Sequence, residues 1–419
     1  MTSPAQLSSL VRWTLCILSF ALLLFSVGCA WPMYQGNARR TGASISDTSA
    51  DTGAIVRTID LGSKGGGSPV LGLRNNSSVI YTASSNDLAA LNPDGSTLWR
   101  FAIGDSLPSA PAVGVDGTTY IGALSGTFYA VNPDGTLKWT FSPPSCSTSL
   151  PPTPAIGPSP SDHSLLAYDV YINNNCGDIY VLKPDGTLEW QSFAMGWWRN
   201  FLGPVAISSD GSVDAVYSCY GDSCEAGLFS LTSDGNFKWK FGVGSVWVIL
   251  GPAIGSGGTA YFVTQSLGVM GSTLYAVNPD GTLKWKSATH IEIGFGRMGP
   301  SIGGDGTIYL GGFNPFGGAE GGLQAFNPDG SLKWTFLGEP GVMFSAPAIS
   351  GDGTLFATST NLLYAINPNG TPKRTSLMPC DPYDNQDSWE NSPVIDSDGT
   401  VYVHCGESDG NDAQLIAIH

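Results

Sequence analysis

Short apolar runs alternate with turn-forming residues along most of the chain. Residues 109–141 (SAPAVGVDGTTYIGALSGTFYAVNPDGTLKWTF) show the pattern in full. Apolar or alternating runs of this length, bounded by turn signals, are typical of β-strands. The pattern predicts four strands, at 112–115, 118–123, 127–131 and 136–141.

Three turns separate these predicted strands. Asp116-Gly117 and Ser125-Gly126 are turn dipeptides. The NPDG segment at 132–135 combines a proline that fixes φ with a glycine that accepts positive φ. Four antiparallel strands in about 45 residues are typical of one β-propeller blade.

The NPDG turn and a later tryptophan recur along the chain. Copies of the turn or close variants start at Asn92, Asn132, Lys183, Thr232, Asn278, Asn327 and Asn367. Seven residues after the first six starts stand Trp99, Trp139, Trp190, Trp239, Trp285 and Trp334. Arg374 holds that place in the seventh copy, which is degenerate. Because the tryptophans recur once per copy, we interpret them as packing residues between blades.

A second motif, a small residue or Thr followed by Pro and apolar residues, gives the number of copies. Its prolines are Pro69, Pro111, Pro154, Pro204, Pro252, Pro300, Pro347 and Pro393. The spacing of 42 to 50 residues is in the range of propeller blades. We therefore predict an all-β fold, an eight-bladed β-propeller of four-stranded antiparallel blades.

The two ends of the repeat region complete each other. The eighth copy stops at 415–419, in the place of a third strand, and lacks a fourth. Residues 54–61 (AIVRTIDL) read as a fourth strand with no preceding copy. The N-terminal strand is therefore predicted to close the last blade, which removes the open edges of the ring.

The first residues are predicted to be an export signal. Arg12 precedes an apolar run at 13–27, which at fifteen residues is shorter than the ~20 of a membrane span. The sequence before Cys29 is similar to a bacterial lipobox, with Ser26 where Leu is usual, so Cys29 is the predicted lipidation site. Cleavage by the ordinary signal peptidase is the alternative. The predicted organisation is a signal peptide at 1–28, an N-terminal segment at 29–53 and the propeller at 54–419.

Charge and cysteine content narrow the function classes. The net charge of −16 and only 18 Lys and Arg argue against nucleic-acid binding, because an acidic surface repels phosphate. Six cysteines remain after Cys16 and Cys29, and an even count in an exported chain favours disulfides over free buried thiols. The repeat map favours three local pairs, Cys146–Cys176, Cys219–Cys224 and Cys380–Cys405.

The repeat carries a family resemblance. Residues 129–139 (YAVNPDGTLKW) resemble the repeat of the pyrroloquinoline-quinone (PQQ) family of β-propellers. Residues 31–37 (WPMYQGN), with Thr41-Gly42, are similar to a segment that precedes the ring in many exported members. The family includes quinoprotein dehydrogenases. It also includes propellers without a cofactor, such as the lipoprotein subunit of the outer-membrane β-barrel assembly machinery.

The non-repeated aromatic residues are the candidate functional residues. In proteins that this chain resembles, the segments between blades form the face that binds a cofactor or partner. Aromatic rings and Arg on such a face suit stacking on a flat cofactor or contact with a protein. The candidates are Lys64, Trp197, Trp198, Arg199, Asn200, Trp247, Glu292, Phe295, Arg297, Phe344, Trp389, Glu390 and Asn391. The alternative interpretation is that these segments only cap the ends of the blades.

The sequence gives little support for catalysis. The resemblance implies PQQ and calcium for a dehydrogenase, but no Asp or Glu matches that motif and no two cysteines are adjacent. Glu390-Asn391 offers few of the 6–8 oxygens that calcium prefers. His404 and His419 have no third ligand in view for a metal. The GESDG at 406–410 lacks the strand–helix context of a nucleophile elbow.

We therefore expect a non-catalytic, exported scaffold, in the periplasm or on the cell surface. It would bind an envelope protein or a ligand through its inter-blade loops and touch the membrane only through a lipid at Cys29. A rigid ring displays loops at fixed positions, so little entropy is lost on binding. A PQQ- and calcium-dependent oxidoreductase is the first alternative, and a carbohydrate-binding propeller, which fits the loop aromatics, is the second.

Overall fold

The structure is a computed structural model. It describes residues 32–62, 66–75, 77–84, 86–143, 153–164, 166–174, 177–193, 200–219, 225–246, 248–266, 271–291, 299–312, 320–340, 343–379, 392–405 and 413–419. Within these ranges, no helix is long and apolar enough to cross a membrane.

The described chain forms 33 β-strands. The first nine are β1 (Ile55–Asp60), β2 (Val70–Arg74), β3 (Ser77–Ala83), β4 (Asp87–Leu91), β5 (Thr97–Ala102), β6 (Ala112–Val113), β7 (Thr119–Gly122), β8 (Phe128–Val131) and β9 (Leu137–Phe141). The next nine are β10 (Ala155–Pro158), β11 (Tyr168–Asn173), β12 (Asp178–Leu182), β13 (Leu188–Phe193), β14 (Asn200–Leu202), β15 (Ala206–Ile207), β16 (Val213–Cys219), β17 (Ala226–Leu231) and β18 (Phe237–Gly244).

The second half of the chain continues the same alternation of short strands. It contributes β19 (Val248–Ile254), β20 (Ala260–Gln265), β21 (Thr273–Val277), β22 (Leu283–Ala288), β23 (Ser301–Ile302), β24 (Ile308–Gly312), β25 (Glu320–Phe326) and β26 (Leu332–Pro340). The last strands are β27 (Ala348–Ile349), β28 (Leu355–Ser359), β29 (Leu362–Ile366), β30 (Pro372–Leu377), β31 (Val394–Ile395), β32 (Val401–Cys405) and β33 (Gln414–Ile418).

These strands form eight antiparallel sheets, which are the blades of one ring. Blades 1 to 7 start at β2, β6, β10, β14, β19, β23 and β27, and each takes its strands in chain order. In blade 4 the first strand is divided into β14 and β15, which both pair with β16. The predicted eight-bladed β-propeller is confirmed.

Blade 8 is built from both ends of the repeat region. β31, β32 and β33 supply three strands, and β1 pairs antiparallel with β33 from Ile55 opposite Ile418 to Asp60 opposite Gln414. The prediction that the N-terminal strand closes the ring is therefore confirmed. This closure pairs the outer edge of β33, which would otherwise remain open.

The antiparallel order gives the ring two different faces. The hairpins between first and second strands and the NPDG-type turns between third and fourth strands lie at one end, which we call the turn face. The inter-blade segments and the hairpins between second and third strands lie at the opposite end, the loop face. First strands of neighbouring blades contact each other around the ring axis.

Each fourth strand from blade 1 to blade 6 holds the next blade through its tryptophan. In blade 2, the indole N–H of Trp139 donates to the carbonyl oxygen of Pro184, in the turn of blade 3, at 3.0 Å. The full set of donor and acceptor pairs is Trp99–Pro133, Trp139–Pro184, Trp190–Ser233, Trp239–Pro279, Trp285–Pro328 and Trp334–Pro368. The repeat tryptophans are thus joints between blades.

The glycine of each of these turns lies against the same indole. Gly186 has φ +88°, and a Cβ at this position would lie 2.8 Å from ring atoms of Trp139. Gly135, Gly235, Gly281, Gly330 and Gly370 make the equivalent contact. Glycine is therefore required both for the left-handed backbone and for the close approach to the ring.

Arg374 replaces tryptophan in the joint between blades 7 and 8. It lies opposite Ala365 of the third strand, as the tryptophans lie opposite the equivalent residues of their blades. Its guanidinium donates to the carbonyl oxygen of Asp51 at 2.5 Å and forms an ion pair with the Asp51 carboxylate. Gly53, at φ +78°, lies against the arginine side chain in the way the turn glycines lie against indoles. The degenerate seventh copy therefore keeps the joint with a different side chain.

Arg57 makes the last joint, between blades 8 and 1. It lies opposite Ala417 in the register of the tryptophans and donates to the carbonyl oxygen of Asp94, in the turn of blade 1, at 2.6 Å. Gly95 of that turn, at φ +85°, lies against Ile59 and Arg57. The same type of contact thus recurs around the ring, with Asp51, just before β1, as the acceptor for blade 7.

Gly186→Ala tests the contact between turn glycine and indole. The matched control is Gly126→Ala, because Gly126 has φ +87° but nothing lies within 4 Å of its would-be Cβ. Both changes carry the left-handed strain of about 1–2 kcal/mol, and only Gly186→Ala also displaces the indole. We expect Gly186→Ala to lower the urea-unfolding free energy clearly more than the control. Equal losses in the two variants would contradict the joint.

Candidate functional site

Most of the predicted binding residues fall, along the sequence, between the strands of one blade and the next. Lys64, Trp197, Trp198, Arg199, Trp247, Glu292, Phe295, Arg297, Trp389, Glu390 and Asn391 lie outside the described residues. Asn200 is the first residue of β14, and its backbone pairs with Cys219 of β16. The role of these residues therefore stays a prediction.

Phe344 is the candidate whose side chain the structure describes, and it is fully buried. Its ring lies 5.0 Å from that of Tyr364 and 6.1 Å from that of Phe336, between blades 6 and 7. This placement agrees, for Phe344, with the alternative interpretation that these segments cap the blades.

The N-terminal segment crosses the axis of the ring. Residues 32–53 form what we call the axial segment, whose carbonyl oxygens accept hydrogen bonds from the residues that end successive first strands. The pairs, all at 2.7 or 2.8 Å, are Val113 to Pro32, Ile207 to Ala38, Ile254 to Arg39, Ile302 to Thr41 and Ile349 to Gly42. One segment thus binds the inner edges of blades 2, 4, 5, 6 and 7.

Arg40 anchors the axial segment. Its side chain is 1 % exposed. Its Nε donates to the carbonyl oxygen of Val205 at 2.6 Å, and its other nitrogens donate to Tyr34 and Thr153. The guanidinium also lies 5.5 Å from the centre of the Tyr34 ring. Charged donors make stronger hydrogen bonds than neutral ones, so this residue ties blades 3 and 4 to the segment.

Arg39 and Gln35 add polar groups beside Arg40. The Gln35 amide donates to the carbonyl oxygens of Gly299 and Pro300 in blade 6. Burial lowers the pKa of Arg39, and among the described residues its buried Nε has no hydrogen-bond partner. Two adjacent arginines therefore stand at the axis of an acidic protein. Sequence reasoning missed them, although the pair directly precedes the Thr41-Gly42 of the family-like segment.

The structure describes only some of the cysteine and histidine side chains for which predictions were made. Cys405, at the end of β32, is fully buried. The other five cysteines of the predicted pairs lie outside the described residues or on a side chain that is not described, so the pairing stays a prediction. His404 is buried beside it, and burial lowers its pKa to about 4. Within the described ranges, no group of three or more His, Cys, Asp or Glu side chains could hold a metal ion.

Comparison with known proteins identifies the type of repeat. The family model PQQ_2, described as outer membrane protein assembly factor BamB, matches residues 41–196. This match covers residues 41–53 of the axial segment and the first three blades. The three matched blades are similar to the blades of PQQ-repeat β-propellers. No curated protein sequence matches this chain significantly.

Solved structures of two kinds share the fold. BamB from Moraxella catarrhalis is 14 % identical, with a TM-score of 0.60 over 88 % of this chain and 100 % of that one. A europium-containing methanol dehydrogenase is 11 % identical, with a TM-score of 0.71 over 95 % and 99 % of the two chains. The quinohemoprotein alcohol dehydrogenase from Comamonas testosteroni is 13 % identical, with a TM-score of 0.69 over 96 % and 84 %.

Arg40→Met tests whether the axial segment holds the ring. The substitution keeps an unbranched apolar stem but removes the guanidinium. It leaves three buried carbonyl oxygens without their donor, which costs about 1–3 kcal/mol for each lost partner. We expect a fall of several kcal/mol in the urea-unfolding free energy. Arg100→Met is the control, because Arg100 forms an exposed ion pair with Asp87. A loss no larger than that of the control would contradict an anchoring role.

Proposed function

We propose that this PQQ-repeat propeller is a non-catalytic scaffold of the cell envelope that binds a protein partner through the inter-blade segments of its loop face. By analogy with the family model it matches, the proposed role is in the assembly of outer membrane proteins. The proposed location is the periplasmic side of the envelope, with Cys29 carrying a lipid anchor.

The observation that carries this proposal is the binding of the axial segment across the centre of the ring. Its hydrogen bonds to five blades and the eight joints fix the blades relative to one another. The inter-blade segments start and end on these fixed strands. A preformed surface of this kind loses little conformational entropy on binding, which favours a scaffold for a macromolecular partner.

The similarity to methanol and alcohol dehydrogenases favours one alternative, a PQQ- and calcium-dependent oxidoreductase. In the part of the chain that the structure describes, no three or more His, Cys, Asp or Glu side chains form a group that could hold a metal ion. Glu390 and Asn391, the sequence candidates, lie outside it. Titration of the mature protein with PQQ and calcium, followed by tryptophan fluorescence and dye-linked oxidation of alcohols and sugars, separates the two functions. Saturable binding with turnover would replace the scaffold with an enzyme.

The combined change Trp389→Ala and Arg199→Ala tests the loop face. A photoreactive amino acid at Asn391 identifies the cross-linked partner in cells, and the affinity is then measured with purified proteins. We expect the double variant to bind at least tenfold more weakly, because aromatic and Arg side chains dominate interface energies. It should also lower the amount of folded outer membrane protein in cells.

The control for this experiment is Phe237→Ala, which removes an aromatic ring that is 61 % exposed on an outer strand. The control should keep the wild-type affinity. The proposal would be wrong if the double variant bound every cross-linked partner as tightly as the wild type does. It would also be wrong if no protein were cross-linked from the loop face.

Cys29→Ser tests the proposed lipid anchor. We expect the wild type to fractionate with membranes and the variant to appear in the soluble envelope fraction, because the acyl chains on the cysteine supply the membrane affinity. Mass spectrometry of the wild-type N-terminus should find a lipidated Cys29. An unmodified N-terminus and equal fractionation of both proteins would indicate ordinary signal cleavage.

A further inference from the structure

One row of side chains across each blade follows a rule that blade 4 breaks. In blade 2 the row is Ala112, Tyr120, Ala130 and Trp139, each opposite the next in the strand register. The second member of the row is aromatic in seven blades. These residues are Tyr81, Tyr120, Tyr171, Tyr261, Tyr309, Phe356 and Tyr402.

In blade 4 the same row is Ala206, Asp214, Ser230 and Trp239. A carboxyl stands where the other blades have an aromatic ring. A hydroxyl stands where six of them have alanine and blade 3 has valine. The Ser230 side chain hydrogen-bonds to the Asp214 carboxyl. The two departures thus form one polar pair in place of an apolar contact.

A cavity lies beside the joint tryptophan of blade 4. In other blades the tyrosine lies against the tryptophan of its own blade, as in Tyr120 and Trp139, whose ring centres are 5.7 Å apart. In blade 4 a cavity of about 290 Å³ lies at this place, between blades 4 and 5 on the turn face. It is lined by Asp214, Ser230, Trp239, Ser208, Asp210 and Lys238, among others. This volume is at the lower end of small-molecule sites, which suits one ring.

Asp214 lacks part of its hydrogen bonding within the described protein. Its side chain is 3 % exposed, and its Oδ1 has no hydrogen-bond partner among the described residues. Burial raises the pKa of this carboxyl to about 7. A buried polar atom without a partner costs free energy, and such atoms are rare in folded proteins. The geometry therefore calls for hydrogen-bond donors supplied from the cavity.

The other lining groups define what kind of ligand fits. Lys238 donates to Asp210 at 3.1 Å and to Ser212 at 2.7 Å, so this charge is already balanced at the mouth of the cavity. A divalent cation is disfavoured, because Lys238 lies among the same residues. A hydrocarbon or phenol ring would leave most of the polar lining unpaired. Hydroxyl groups around an uncharged ring match both the donors and the acceptors.

We propose that the cavity between blades 4 and 5 binds a single pyranose ring, such as the terminal sugar of a glycan. Asp214 accepts hydrogen bonds from ring hydroxyls, and the C–H face of the sugar packs against the Trp239 indole. The site lies on the turn face, opposite the loop face of the proposed protein contact. The sugar site and the protein contact can therefore be tested independently of each other.

The test is titration of the mature protein with glucose, galactose, mannose and N-acetylglucosamine, followed by calorimetry and by tryptophan fluorescence. We expect saturable binding of at least one sugar. Asp214→Tyr restores the row of the other blades and fills the cavity, so it should weaken binding at least tenfold while raising the melting temperature. Ser230→Ala keeps the cavity open and should also weaken sugar binding. It replaces Asp214→Tyr as the test if that variant does not fold.

A matched pair of turn variants controls for indirect effects. Asp210→Asn alters the mouth of the cavity and should weaken sugar binding. Asp305→Asn changes the equivalent turn of blade 6, where Asp305 pairs with Lys333 as Asp210 pairs with Lys238. This variant should leave sugar binding unchanged.

Phenol and arginine are titrated as competing probes. Absence of saturable sugar binding at tens of millimolar would overturn the proposal, as would unchanged sugar affinity in Asp214→Tyr. Saturation by phenol or arginine in place of every sugar would overturn it too. Loss of sugar binding in Asp305→Asn to the same extent as in Asp210→Asn would likewise count against the cavity. None of these outcomes depends on whether the loop face binds a protein.

Discussion

The whole ring depends on one contact between neighbouring blades. A side chain of the fourth strand packs against a glycine and donates to a backbone carbonyl, which belongs to the next blade or, for Arg374, to the axial segment just before β1. Each neutral hydrogen bond of this kind contributes about 1 kcal/mol, which is little by itself. The closed ring requires all eight joints to fit at once, so the geometry of each turn is constrained by the blade before it.

This constraint explains why the turns are uniform while other parts of the blades vary. An NPDG-type turn must present a carbonyl and a glycine at fixed positions. Where the tryptophan is absent, arginine donates to a different backbone carbonyl, that of Asp51 or of Asp94. The segments between blades carry no such requirement, and their lengths and sequences differ widely. The polar row of blade 4 is a different case, because it changes the side-chain packing behind an intact joint at Trp239 and Pro279.

Much of the fold follows from local sequence signals. The turn motif, the eight prolines and the unpaired strand at 54–61 are enough to predict the number of blades and the closure, because each blade repeats the same short-range pattern. The role of Arg57 could not be predicted, since the strand that carries it has no preceding turn to set the register. The binding of the axial segment to the blades could not be predicted either, because its hydrogen bonds come from distant blades and produce no periodic pattern in its sequence.

The candidate sites also combine features that the sequence could predict with features that only the structure could reveal. Asp214 could have been identified from the sequence, since alignment of the repeats places it at a position where the other seven blades have an aromatic residue. Its burial and the cavity beside it could be seen only in the structure. Trp389 and Arg199 were chosen from residue type and from the family resemblance. Phe344, chosen in the same way, lies in the packed interior, which shows how weakly an aromatic residue in a loop indicates exposure.

The pairing of β1 with β33 also sets the order in which the chain acquires its native form. Ile55 lies opposite Ile418, so the last blade is incomplete until β33 has been synthesised. Contacts that join such distant parts of a chain form slowly, because a very long loop must close first. A chain shortened by even one strand at its C-terminus leaves both β1 and β32 with an open edge. Completion of blade 8 therefore requires that the chain has been translated through β33.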